Sequence, residues 1–309
     1  MYTPILKGKQ FELAALKELI GHIPAQNVHP IIEPVNSSLG QLTATVIELA
    51  KNSVVPWVII NPDQGNYSNS HNTNIASALN IEISKKTTNQ FIYTPCIRIK
   101  NEKDYNAISL LGKTPTPFVA YIEEDITLAL LKILKTASVV VLNPDKNHLS
   151  IWNQLTSVVL YHDGFAKQTR NLDYPQESFY SRLHLDYRNF PNAIGFGDYT
   201  ILSERFSEGG GPAYVVTLHL SYLDSARQQQ MFIRHFSSFT DTLSQSDPGG
   251  KFLEALDLLI TYVNNNTTKF LMTQGLQDFY KYHRLQHYPG LGIAKKMSIK
   301  HHIQTLSNH

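Results

Sequence analysis

The stretch PFVAYIEEDITLALLKILKTASVVVLNP, Pro117 to Pro144, holds a strand, a helix and a second strand in immediate succession. PFVAYIE (Pro117 to Glu123) and ASVVVLNP (Ala137 to Pro144) are apolar on consecutive positions, as expected of parallel strands covered on both faces. Between them DITLALLKILK spaces its leucines at helical intervals. A strand, helix and parallel strand in this order form a βα unit, and the same alternation extends in both directions.

Towards the N-terminus lie YTPILKG (Tyr2 to Gly8), HPIIEPV (His29 to Val35), PWVIINP (Pro56 to Pro62) and FIYTPCIRI (Phe91 to Ile99). Towards the C-terminus lie SVVLYHD (Ser157 to Asp163) and AIGFGDY (Ala193 to Tyr199), which brings the strands to eight. Helical spacing recurs between them in FELAALKELI, LGQLTATVIELAKN, NIASALNIEIS, DYNAISLL, LSIWNQL and ESFYSRLHLDY, and after them in KFLEALDLLITYVNN. Eight βα units at a repeat of about 20 to 35 residues predict an α/β fold, a (β/α)8 TIM-like barrel, over a doubly wound open sheet. The tripeptide N-P-D at Asn61 and again at Asn143 is three strands apart, the wrong interval for a half-barrel duplication, and its proline reads as a strand end.

After the eighth strand the barrel pattern is interrupted. SERFSEGGGP leads into AYVVTLHLSYLD and QMFIRHFSSF, an inserted β-hairpin from Tyr214 to Phe236 that carries His219, Tyr222 and His235. The chain is therefore read as one barrel domain over 1–309, with a hairpin or lid at 204–237 and a C-terminal helical extension at 270–309. The Gly209 to Pro212 run occupies the usual phosphate-binding position of this fold, but Glu204 and Glu208 flank it, and the reading favours a flexible joint. The cluster Lys295, Lys296, Lys300, His301 and His302 reads as a solvated helix face rather than a nucleic-acid contact.

The 27 basic and 25 acidic side chains exclude a polyanion-binding surface spread over the whole chain. The one cysteine, Cys96, excludes a disulfide framework and a cysteine zinc site, and fits a reducing, cytoplasmic setting. No apolar run approaches the roughly 20 residues of a membrane span, so neither export nor anchoring is expected. There is no P-loop, dinucleotide fingerprint, H-E-x-x-H or G-x-S-x-G.

In such a barrel the residues that end each strand build the site. They include Lys7, Lys9, Glu33, Asn61, Arg98, Glu123, Asn143, Asp163, Asp198 and Tyr199. Alternation on the fourth strand puts Thr94, Cys96, Arg98 and Lys100 on one face, so Arg98 is expected to point into the barrel and reach its mouth. Glu33, Asp163 and Asp198 suit a divalent metal such as Mg2+ or general acid and base roles. Lys7, Lys9, Asn61, Arg98, Glu123, Asn143 and Tyr199 would line a site for an anionic ligand, a nucleotide or a phosphoester. Two outcomes stay open: metal-dependent phosphoester or nucleotide chemistry, or binding without turnover, with the charges pairing among themselves.

PILKGKQFELAALKEL, IIEPV, YHDGF, GFGDY with SEGGGPAY, and HYPGLGIAKKMSIKHHI together resemble the beta-protein family, named for a phage protein, in a branch of bacterial proteins. The resemblance extends over nearly the whole chain. It implies a nuclease-like partner of the PD-(D/E)XK kind encoded nearby, and a two-gene defence against phage. It supplies no catalytic residues. A catalytic barrel and a scaffold or sensor that docks and regulates the partner nuclease are both consistent with it.

Overall fold

The structure is a computed structural model that describes residues 1–68, 74–89, 92–100, 117–204, 206 and 213–309. It divides into two compact units. Met1–Leu13, Pro24–His162 and Leu183–Tyr199 form the first, and Ala14–Ile23, Asp163–Arg182 and Thr200–His309 the second.

The first unit is the barrel. Strands β1 (Tyr2–Leu6), β2 (Ile31–Ile32), β3 (Trp57–Ile59), β4 (Thr94–Ile99), β5 (Val119–Ile122), β6 (Val139–Leu142) and β7 (Val158–His162) pair in parallel in chain order. A later strand, β9 (Ala193–Asp198), closes the ring between β7 and β1. The (β/α)8 expectation therefore holds. Between strands run α2 (Gly40–Lys51), α3 (Ala76–Ser84), α4 (Leu128–Leu134) and the single turn α5 (Leu149–Trp152), after α1 (Gln10–Glu18) at the chain's start. Thr127 begins α4 by accepting the Leu130 N–H, so the strand gives way to the helix at a satisfied cap.

Alternation along the strands produces two apolar layers. Ile5, Ile31, Trp57, Cys96, Val119, Tyr121, Val141, Val159 and Tyr161 fill the interior. Ile97, Ile99, Ala120, Ile122, Val140, Leu142, Val158 and Leu160 face outward onto Leu130, Leu131, Leu134 and Trp152 of the helical layer. Ring closure depends on small residues at one seam. A Cβ on Gly197 would lie 2.5 Å from the Thr3 carbonyl oxygen, nearer than real Cβ contacts come, so β9 approaches β1 only without a side chain there.

The second unit is built on a three-stranded antiparallel sheet, ordered β10 (Thr217–Asp224), β11 (Gln230–Ser237), β8 (Glu177–Ser181). The expected hairpin is present as β10 and β11. Its third strand corrects the sequence reading, in which ESFYSRLHLDY was helical: Glu177–Ser181 pairs with β11, and only the turn α6 (Leu183–Asp186) is helix. The adjacent aromatics Phe179 and Tyr180 favour strand, and pairing outweighs a helical spacing that was only marginal.

The segment expected as the eighth barrel helix, α7 (Pro248–Asn265), places Phe252, Ala255, Leu256 and Leu259 in a core with Leu218, Leu220 and Tyr222 of β10. Two more helices, α8 (Gln274–Leu285) and α9 (Leu291–Ser307), complete this unit. Among the described residues no helix is long and apolar enough to cross a membrane. The helix expected at 104–111 and the glycine run at 209–212 lie outside the described residues.

Candidate ligand site at the barrel mouth

Lys7, Glu33, Arg98 and Glu123 each follow or end a barrel strand, and the interior parity read from the sequence brings all four together. Gly8 takes φ +64°, and a Cβ there would stand 2.9 Å from the Glu33 carbonyl oxygen; a glycine lets the β1 turn close on β2. Lys7 Nζ then donates to Glu33 Oε2 at 2.8 Å. The other Glu33 oxygen accepts from Arg98 Nη1, and Arg98 Nη2 donates to Glu123 Oε1. The side chains of Lys7, Glu33, Arg98 and Glu123 are all buried.

Arg98 also holds a carboxylate that the sequence reading did not place in the site. Its Nη1 lies 2.7 Å from Asp63 Oδ1, and Lys100 Nζ donates to Asp63 Oδ2. Lys100 is a further 3.7 Å from Glu123 Oε2. Three cations, Lys7, Arg98 and Lys100, thus face three carboxylates, Glu33, Glu123 and Asp63, and the formal charges cancel. Burial works against the Arg98 charge, but the carboxylates of Glu33, Glu123 and Asp63 overcome it and raise its pKa above the ordinary arginine value. Arg98 Nε is buried and has no hydrogen-bond partner among the described residues.

Below the charges lies a layer of tyrosines. Tyr121 and Tyr199 share a hydrogen bond between their hydroxyls, Tyr161 packs on Tyr121 at 5.1 Å between ring centroids, and Lys7 Nζ sits 5.3 Å over the Tyr199 ring. Burial, then the neighbouring tyrosines and Glu123, raise the Tyr121 pKa, so this hydroxyl stays neutral.

The remaining expected residues have other tasks. Asn61 makes a reciprocal pair with the Arg98 backbone, donating to its carbonyl at 2.7 Å and accepting its N–H at 2.9 Å. It extends the ladder between β3 and β4 and so fixes the backbone that carries Arg98. Asn143 closes its own loop by accepting the Asp145 N–H on its side chain and the Asn147 amide on its carbonyl. Lys9 is half-buried, and its carbonyl accepts the Leu13 N–H in the first turn of α1.

Glu33, Asp163 and Asp198, the trio expected to bind metal or act as acid and base, each accept hydrogen bonds from neighbouring donors. Both Glu33 oxygens are taken by Lys7 and Arg98. Asp198 is buried and accepts the Tyr2 hydroxyl at 2.9 Å. Asp163 belongs to the second unit, where it accepts the Glu204 N–H at 3.0 Å and the Ser203 hydroxyl at 3.3 Å. Among the described residues no group of three or more His, Cys, Asp or Glu is arranged to hold a metal ion, so these donors do not fit the Mg2+ expectation. Each carboxylate already has its own donors: Lys7 and Arg98 at Glu33, the Tyr2 hydroxyl at Asp198, and the Glu204 N–H with the Ser203 hydroxyl at Asp163.

The C-terminal basic cluster is solvated only in part, with Lys295 exposed and Lys296 partly buried. In α9 Lys300, His301 and His302 are buried, and Lys300 Nζ pairs with Glu18 at 2.8 Å and Asp278 at 2.6 Å. Comparison with known proteins gives no match: no family model, no curated protein and no solved structure is similar to this chain.

Proposed function

We propose that this chain is a non-catalytic (β/α)8 barrel of the bacterial cytoplasm that docks and regulates a nuclease-like partner in a two-gene phage defence, with the barrel mouth as its sensor. The resemblance of its GFGDY, SEGGGPAY and HYPGLG segments to the beta-protein family supports the partner and the setting. One observation carries the choice of scaffold over enzyme: the mouth charges neutralise one another. A general base or metal ligand needs a lone pair available to substrate, and Glu33 has both oxygens held by buried cations.

Docking is assigned to the second unit, where Phe239, Leu243, Met272 and Leu285 are exposed apolar side chains. The test is co-expression of the tagged full chain with the nuclease-like protein encoded beside it. The expected result is a stoichiometric complex that Leu243→Asp with Phe239→Asp disrupts and Glu33→Gln leaves intact. No complex with the wild-type chain would overturn the proposal.

A further inference from the structure

The six charges at the mouth are not equivalent. Lys7, Glu33, Arg98 and Glu123 have side chains at most 8% exposed, whereas Asp63 is 36% and Lys100 40% exposed. Four charges are sealed, and one ion pair lies between them and solvent. The sealed four balance on their own, two cations against two carboxylates. Asp63 is therefore a third carboxylate on a guanidinium that already holds two, and its own second oxygen is taken by the exposed ammonium.

The backbone that presents Asp63 is anchored. Asn66 N–H donates to the Val35 carbonyl at 2.9 Å, the Ser37 N–H donates to Asn66 Oδ1 at 3.0 Å, and the Tyr67 hydroxyl donates to the Asn36 carbonyl at 3.1 Å. A side-chain rotation at residue 63 would take one carboxylate from Arg98, which keeps Glu33 and Glu123, and one from Lys100, which keeps Glu123 at 3.7 Å. Among the described charges of the mouth this would leave a guanidinium Nη1 with capacity to donate beside the half-exposed Lys100 ammonium, and an excess of one positive charge. Arg98 Nε adds a buried donor that the described residues leave unmatched.

We infer that Asp63 is a built-in competitor at an oxyanion site formed by Arg98 and Lys100, and that a phosphomonoester group displaces it. This deepens the sensor reading above and rests on it. A phosphate carries more charge than the carboxylate it replaces and has three oxygens for the two cations, so it competes better than a carboxylate ligand would. Occupancy would then be reported through the Asp63 side chain, while Asn61 keeps the end of β3 bonded to the Arg98 backbone.

The test is calorimetric titration of inorganic phosphate into the full chain, with succinate as the carboxylate comparison. Asp63→Asn is expected to bind phosphate about tenfold more tightly than wild type, because the resident anion is gone while its partners remain. Asp63→Ser serves as a second variant, and both are checked for a cooperative melt. Asp63→Asn with Lys100→Met should lose the gain.

Phosphate binding no tighter than wild type in both folded variants would overturn the inference, as would a gain that survives loss of Lys100. Tighter binding of succinate than of phosphate would overturn the phosphomonoester class. These outcomes are separate from co-purification: a complex that forms while titration fails sinks the ligand site alone, and titration that succeeds without a complex sinks the docking role.

Discussion

The barrel mouth and the interior of the second unit both bury polar side chains, and they satisfy them in opposite ways. The mouth keeps its groups charged and pairs Lys7, Arg98, Glu33 and Glu123 salt bridge by salt bridge. The second unit keeps His219, His235 and His301 neutral. His301 Nε2 faces the Ser221 carbonyl at 2.6 Å, which can only accept, so that nitrogen carries the proton and Nδ1 accepts the Thr273 hydroxyl at 2.7 Å. Thr273 Oγ1 in turn accepts the Leu276 N–H that begins α8.

A second neutral pair, His219 and His235, meets Nδ1 to Nδ1 at 2.7 Å across β10 and β11. Such a pair requires one donor and one acceptor and cannot form if both are protonated. The contrast teaches what each region responds to: the mouth to a change of charge, the second unit to a change of pH.

The largest effect should come from unbalancing the mouth. Arg98→Met strands Glu33 and Glu123 in a buried setting, and the expected loss is about 3–5 kcal/mol in urea denaturation. A loss under ~1 kcal/mol would mean that the carboxylates reach water and that the mouth is not sealed.

Acid should act next, through the histidines. Burial lowers the His301 pKa to about 4, against a backbone bond to Ser221 that raises it, and burial with Arg234 lowers His235 to about 4. The unfolded chain takes up these protons near the ordinary histidine value of about 6.5, and the folded chain only near its depressed values. Stability is therefore full above about pH 6.5 and falls as pH drops towards 4, by roughly 3 kcal/mol for each histidine. Chemical denaturation at a series of pH values checks this, and His301→Gln should remove that residue's share. A flat profile across the window would contradict the neutral-network assignment.

The smallest effect sharpens the comparison from within the second unit. Lys300 is one of its charged exceptions, buried against Glu18 and Asp278, but these partners are 40% and 29% exposed. Lys300→Met leaves them able to hydrate, so the loss should be only about 1–2 kcal/mol by thermal denaturation. A loss as large as that of Arg98→Met would erase the distinction.

Much of the barrel was legible because burial on both strand faces writes itself as consecutive apolar residues, and because parity on the fourth strand points Arg98 inward. Tyr121 and Tyr161, on the fifth and seventh strands, also fill the interior. Asp63 was not legible as a site residue: its N-P-D context reads as a strand end, and only a buried guanidinium in need of carboxylates gives it a role.

The carboxylates of the expected metal trio illustrate the same point. Strand-end position predicts that Glu33 and Asp198 reach the mouth region but not that Lys7, Arg98 and Tyr2 occupy their oxygens. In α9, charged residues on a sequence with helical spacing look solvated. Their burial depends on Glu18, Asp278, Thr273 and Ser221, which are distant in the chain.

On the proposed two-gene phage defence, the measurement that tests the central claim most directly is phage plating on cells carrying this chain and the proposed partner, with Lys7→Met and Glu33→Gln combined in this chain. The pair removes one cation and one carboxylate together, so Arg98, Lys100, Glu123 and Asp63 stay balanced and Arg98 keeps an acceptor at position 33. If the mouth is a neutralised scaffold and not a catalytic centre, restriction of phage persists at the wild-type level. Restriction lost from a double variant that still melts cooperatively and still co-purifies with its partner would contradict the account and return Lys7 and Glu33 to chemistry.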